Sequence, residues 1–330
     1  MVTALQIVAG FLLLLGGAEL LVRGSVTVAR RLGVSTILIG MTVVAFGTSA
    51  PELVVSLEAA LAESPDIAVG NIVGSNVANV FLILGLTGLL RPIEPRPSPM
   101  VYDTGVLIAG TLLFALILLS GDITSEAGLL LLFAFAAFMV VAFWRETRGP
   151  GDAAVDSRRQ EAEDMGRLPG GLWGAWAAVV FGLAGLLVGS AFLVEGGTTA
   201  ARTLGVPEAV IGLTLIAIGT SLPELAASVV AGLRGHTDVA VGNVLGSNLF
   251  NMLLVGGAVA VVVPLPVASQ IVSFDLWIML LATLVFLPFL LGGRLGRKTG
   301  TAFLLLYVAY VTVQYSGGLG IIPWAPAGMP

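Results

Sequence analysis

The chain has 330 residues, of which 57% are hydrophobic and only 11% charged, with a formal net charge of −5 and a mean hydropathy of +1.03. Soluble domains run at about half apolar and a quarter charged, so this is the composition of an all-α integral membrane protein whose main partner is the lipid bilayer. There is no cysteine, which excludes a disulfide framework, a thiolate metal site and a cysteine nucleophile. The lone histidine, His236, sits in a short polar stretch beside Arg234 and Asp238 with no second imidazole to share a zinc ion.

Spans of about 20 apolar residues cross a bilayer, and the first is expected at residues 3–29. Its apolar run Phe11 to Leu15 and the small residues Gly16, Gly17 and Ala18 imitate a signal peptide. The second span, 35–62, carries Gly47-Thr48-Ser49-Ala50-Pro51-Glu52-Leu53. The third, 67–90, carries Gly70-Asn71, Gly74-Ser75-Asn76 and Asn79. A stiff turn with prolines at 92, 95, 97 and 99 leads to spans at 101–120 and 126–144, closing a first membrane unit at residue 144. Residues 145–171 are rich in charge, glycine and proline and are expected to be a flexible cytoplasmic linker, too short for a separate domain.

A second unit, 172–330, repeats the first. Spans are expected at 172–200, 207–233, 239–263, 271–292 and 301–324. Gly219-Thr220-Ser221-Leu222-Pro223-Glu224-Leu225 echoes the first motif at an offset of 172 (224 − 52), and Gly242-Asn243, Gly246-Ser247-Asn248 and Asn251 follow at the same offset. From Gly17 to Gly85 the copies align without a gap and about half the positions are identical. Leu193-Val194, Gly196, Thr199 and Arg202 match Leu21-Val22, Gly24, Thr27 and Arg30. The first span therefore belongs to the folded unit and is expected to be retained.

Five spans per copy is an odd number, so the second copy enters the membrane from the opposite face, giving ten transmembrane helices as two inverted five-helix repeats. With the N-terminus outside, Arg202 is the one basic residue of the chain that falls outside, and the other basic residues fall on cytoplasmic ends or loops. The chain is thus expected in the cytoplasmic (inner) membrane with both termini extracytoplasmic. Transporters use inverted repeats to expose a midplane site to each side in turn.

Each copy places a glutamate beside a proline inside an apolar helix, and an ionisable group there marks a functional site. Pro51 has no N–H for the carbonyl of Gly47, and its ring opens that turn. Backbone oxygens around Ala45 to Thr48, the hydroxyls of Thr48 and Ser49 and the Glu52 carboxylate then form an oxygen-rich, anionic cluster. Calcium takes six to eight oxygens at about 2.3–2.6 Å, which two facing copies supply and one does not. In the third helices, Ser75 with Asn79 and Ser247 with Asn251 are four apart and share a helix face. Asn71, Asn76, Asn243 and Asn248 lie on adjoining faces, where helix–helix hydrogen bonding is the alternative role. Gly70, Gly74, Gly242 and Gly246 are expected to allow close helix packing. Glu58 turns away from Glu52 toward the outer surface, and Asp103 and Asp275 stand where helix capping and the dipole explain them.

At these motifs the chain resembles the cation/calcium exchanger superfamily, and within it the prokaryotic sodium/calcium exchangers, over essentially its whole length. The resemblance implies a central diamond of four ion sites and no cofactor beyond the transported calcium and sodium. By position, Glu52, Glu224, Thr48 and Thr220 would bind calcium, while Ala45, Thr48, Ser49, Ser75, Ala217, Thr220, Ser221 and Ser247 would serve sodium, with Asn79 and Asn251 at the middle position. Many relatives, potassium-dependent ones included, have aspartate where this chain has Asn251, so potassium dependence is not expected. Ser75 and Asn76 stand where the proton/calcium branch usually has a further glutamate, which disfavours proton coupling. The implied activity is sodium/calcium antiport by a protein functional as a monomer, with no nucleic-acid partner. The alternatives are a proton-coupled or less selective divalent-cation exchanger, a channel, and, more remotely, an intramembrane metallohydrolase, which would need a nucleophile or histidine ligands beside the carboxylates.

Overall fold

A computed structural model describes residues 2–93, 97–148, 171–204, 217–291 and 293–318. Most of the expected linker 145–171, the start of the expected span 207–233 and the end of the expected span 301–324 lie outside the described residues. The helices, in chain order, are α1 (Val2–Leu32), α2 (Thr36–Thr48), α3 (Ala50–Leu61), α4 (Pro65–Leu90), α5 (Pro97–Leu119) and α6 (Ser125–Arg148). Then follow α7 (Gly171–Thr203), α8 (Ala217–Thr220), α9 (Leu222–Leu233), α10 (Thr237–Val262), α11 (Ile271–Leu290) and α12 (Arg297–Gly318). Seven of these are long and apolar enough to cross a membrane, and the pair α2 and α3, bent by 42°, adds an eighth. Exposed apolar side chains such as Phe133 (71%) and Phe181 (69%) are what lipid tails accept at no cost.

Local chemistry sets the boundaries. Ser35 caps α2 by accepting from the Leu38 N–H at 3.2 Å. Gly235 ends α9 with φ +87°, and at the corresponding position of the first copy (235 − 172 = 63) Glu63 adopts φ +56°. The same turn is therefore made once with the residue suited to it and once with a side chain that strains it.

The chain divides into two compact units, one drawn from Met1–Glu52 and Phe133–Phe250, the other from Leu53–Leu132 and Asn251–Pro330. In the first, α1 and α7 form a long seam of small residues. A Cβ on Gly17 would lie 2.8 Å from the Gly182 carbonyl oxygen, and one on Gly182 would lie 2.8 Å from that of Gly17 and 2.5 Å from the Leu21 nitrogen. Gly10 meets Gly189, and Gly24 meets Ala175 and Val179. Positions rise along α1 as they fall along α7, so the two helices run antiparallel with their backbones in direct contact. Leu21, Val22, Leu186, Val44 and Ala227 fill the core beside this seam. Glu19 on α1 accepts from Arg23 at 2.6 Å and from Arg234, just beyond α9, at 2.8 Å.

In the second unit, Phe81 and Phe289 both pack against Phe303 with centroids 5.7 Å apart. Two short strands, β1 (Asp122–Ile123) and β2 (Leu265–Pro266), pair antiparallel with Asp122 opposite Pro266. Asp275 corrects an expectation. The helical run from Ile271 passes through it as a π turn, Ile271–Asp275, so there is no helix end to cap. Its carboxylate instead accepts from Tyr310 Oη at 3.0 Å and from the Gln314 amide, both on α12. Asp103 likewise lies within α5 rather than at its start.

Candidate functional site

The motif of each copy forms a break between two helical segments. Ser49 joins α2 to α3 with φ −83° and ψ 4°, and Ser221 joins α8 to α9 with φ −87° and ψ 3°, so the two breaks have the same backbone. The Ala45 carbonyl keeps a helical partner, the Ser49 N–H at 2.9 Å. Gly47 and Gly219 are the residues whose carbonyls would need an N–H from proline. The Gly219 carbonyl finds a substitute donor in Ser190 Oγ on α7, at 2.7 Å. The corresponding position on α1 (190 − 172 = 18) is Ala18, which has no hydroxyl to offer.

Both glutamates lie in the first unit and are 1% exposed. Glu224 Oε1 accepts from Ser49 Oγ, a serine of the other copy, at 3.0 Å. Glu52 lies beside Ser221, the equivalent serine of the second copy, and the two carboxylates are close enough to repel one another. The Thr48 hydroxyl lies near Glu224, and Glu224 Oε2 has no hydrogen-bond partner among the described residues. Two adjacent buried carboxylates are costly unless a proton or cation neutralises them. Among the described residues no third acid and no histidine completes a conventional metal cluster, so further oxygens come from hydroxyls, amides and carbonyls, as suits a hard cation.

Thr48, Ser49, Thr220, Ser221 and Ser247 share this unit, and all are buried. The Ser247 hydroxyl makes no hydrogen bond among the described residues. Ala45 is fully buried on α2, and Ala217 begins α8. Ser75, Asn79 and Asn251 belong to the other unit, where they too are buried, and neither amide atom of Asn251 has a described partner.

Two features of the site carry no periodic signal in the sequence. α4 turns π-helical over Asn79–Leu84 and α10 over Phe250–Val255, nearly the same place in the two copies. Such bulges widen the helix by one residue and concentrate at functional sites. Asn71 donates to Ser56 Oγ at 2.9 Å and Asn243 to Ser228 Oγ at 3.0 Å, so the same pair ties each motif helix to the helix after it. Asn76 instead bonds within its own helix, to the Ile72 carbonyl at 2.7 Å. The packing glycines divide. A Cβ on Gly242 would meet the Ile37 carbonyl oxygen at 2.7 Å, and one on Gly246 the Met41 carbonyl oxygen at 2.4 Å. Beyond the local turn of its own helix, no described residue comes within 4 Å of one on Gly70 or Gly74.

Comparison with known proteins adds three results. The profile of a family described as "Sodium/calcium exchanger protein" matches residues 2–144 and again 174–316, two stretches displaced by 172 residues (174 − 2), the offset of the motifs. The chain is 38% identical over 317 residues to the "Putative antiporter CaxA" of Alkalimonas amylolytica, covering 96% of this chain and 98% of that one. It is 33% identical over 348 residues to the "Sodium/calcium exchanger MaX1" of Methanosarcina acetivorans, covering 95% and 99%. Among solved structures, the sodium-calcium exchanger NCX_Mj soaked with sodium and calcium superimposes with a TM-score of 0.79 at 29% identity, over 94% of this chain and 98% of that one.

Proposed function

Because this chain belongs to the sodium/calcium exchanger protein family, and so is a membrane cation/calcium antiporter, we propose that it exchanges sodium for calcium across the cytoplasmic membrane by alternating access at a midplane site. The observation that carries this is the pair Glu52 and Glu224, one from each motif copy, buried together, with Glu224 hydrogen-bonded by Ser49 of the opposite copy and Glu52 beside Ser221. Two carboxylates balance the charge of one calcium ion. The oxygens of Thr48 and Thr220 bring the set toward the six or more that calcium requires. Sodium uses the neutral oxygens of Ala45, Thr48, Ser49, Ala217, Thr220, Ser221 and Ser247 in the same unit, and the functional set extends to Ser75, Asn79 and Asn251.

Ten spans in two inverted repeats account for the doubled family match and for the reciprocal contacts of α1 with α7. In those contacts Gly17 meets Gly182, Gly10 meets Gly189, and the equivalents of Gly10 and Gly17 across the offset of 172 are Gly182 and Gly189. Both termini are extracytoplasmic in this reading, which the distribution of arginine supports.

Vesicles loaded with sodium are expected to take up calcium in potassium-free buffer, with no further gain when potassium is added. Uptake that ignores a sodium gradient and follows a proton gradient would overturn sodium coupling. A second expectation concerns Asn251, which offers an oxygen without a titratable charge. Asn251→Asp adds a third carboxylate to the ion set, so its calcium exchange is expected to fall more steeply than the parent's as the pH drops from neutral to mildly acidic at a fixed sodium gradient. Superimposable pH profiles would remove Asn251 from the set.

A further inference from the structure

Asn243 touches both copies of the motif. Its Nδ2 donates to Ser228 Oγ at 3.0 Å and faces the Glu224 carbonyl oxygen at 3.5 Å, while its Oδ1 accepts from Thr48 Oγ1 at 3.3 Å. The backbone carbonyl and the hydroxyls fix the amide orientation, since a carbonyl only accepts and the nitrogen must face it. Asn243, Ser228 and Thr48 are each 0% exposed, so water cannot replace a lost partner. Ser228 lies one turn beyond Glu224 on α9, and Thr48 is the last residue of α2 before the break.

We infer that Asn243 is a positioning residue for calcium recognition, acting as a strut that holds Thr48 of the first motif at a set separation from the Glu224-bearing helix of the second. It need not touch the ion. Resting on the exchanger site proposed above, it assigns to Asn243 the size of the oxygen cage. Calcium–oxygen distances span only about 0.3 Å, and a strut between two independently broken helices is what keeps a cage within that tolerance. The recurrence of the asparagine–serine pair at Asn71 and Ser56 anchors the other motif helix in the same way. The Thr48 hydroxyl also lies 3.1 Å from the Val44 carbonyl oxygen and 3.4 Å from that of Ala45. Released from Asn243, it has the Val44 and Ala45 carbonyls of its own helix as acceptors and no longer holds the amide that is tied to Ser228.

The test is calcium titration of the purified full chain by calorimetry, with parent, Asn243→Ala, the isosteric Thr48→Val and the double variant. Thermal unfolding in calcium-free buffer runs beside it. Each single change is expected to weaken calcium about three- to ten-fold, the effect of one buried hydrogen bond, and the double variant no more than the weaker-binding single, because both cut one strut. Parent-like affinity for Asn243→Ala, or a double effect equal to the product of the singles, would overturn the role. So would a lowered unfolding temperature with calcium affinity unchanged, which is the signature of packing alone. If Asn243→Ala does not fold, Ser228→Ala with Thr48→Val severs the strut at its two ends and is judged by the same rule. Failure of the exchanger site itself is distinct, because Glu224→Gln would then bind calcium as the parent does.

Discussion

Glutamine at Glu52 or at Glu224 is expected to abolish calcium exchange while leaving a folded protein. The change keeps shape and hydrogen-bonding atoms and removes one charge from a pair that is 1% exposed. At about 4 Å and an effective dielectric of about 20, one unit charge acting on a divalent ion is worth about 8 kcal/mol before desolvation. If desolvation offsets three quarters of that, calcium binding still falls about 30-fold. Folding is spared, because glutamine can still accept the hydrogen bond from the opposing serine and the repulsion between the two carboxylates disappears. The measurement is calcium uptake into vesicles reconstituted with equal amounts of each variant. Near-parental uptake by either variant would sink the shared site.

A larger effect on stability is expected at the seam of α1 and α7. Gly182→Ala places a methyl group 2.5 Å from the Leu21 nitrogen, and Gly17→Ala places one 2.8 Å from the Gly182 carbonyl oxygen. Neither contact is with a flexible side chain that could swing aside, so the helices must separate, at a cost of about 1–3 kcal/mol. Gly16, the neighbouring position, has nothing within 4 Å of its would-be Cβ and serves as the control. Thermal unfolding of the detergent-purified protein should show Gly182→Ala and Gly17→Ala melting below the parent and Gly16→Ala melting with it. Equal melting of all three would mean that the seam tolerates a wider spacing.

Much of the candidate site was legible because its parts are written twice. The glutamate-proline motifs fixed where charge would lie in each copy, and the offset of 172 matched the motif residues of one copy with those of the other. The hydrogen bond from Ser49 to Glu224 across the copies was not legible, since a motif states which groups it owns and not which serine serves which glutamate. The π turns at Asn79–Leu84 and Phe250–Val255 were invisible, because i→i+5 bonding leaves no residue-type signature. Asp275 was misjudged for a related reason. Its partners lie 35 and 39 residues away on α12, and the helix start that would have made it a cap is absorbed into a continuous π turn. The glycines at 10, 17 and 24 recur every seven residues in plain sight, as do Gly182, Gly189 and Gly196. The four-residue spacing of Gly242 and Gly246 marks one tight packing face, and this seven-residue spacing marks a second.

That seam has a consequence for how the two halves of the gene can change. A residue on α1 meets the counterpart of its neighbour on α7, and the neighbour meets the counterpart of the first, as at an interface between two identical chains. Gly17 and Gly182 thus sit on opposite sides of one gap too narrow for any side chain. Enlarging either uses the clearance on which the other depends, so neither copy can drift in size at these positions without penalising its twin. Duplicated sequences are ordinarily free to diverge once fused; along this line the pair stays bound to a common history.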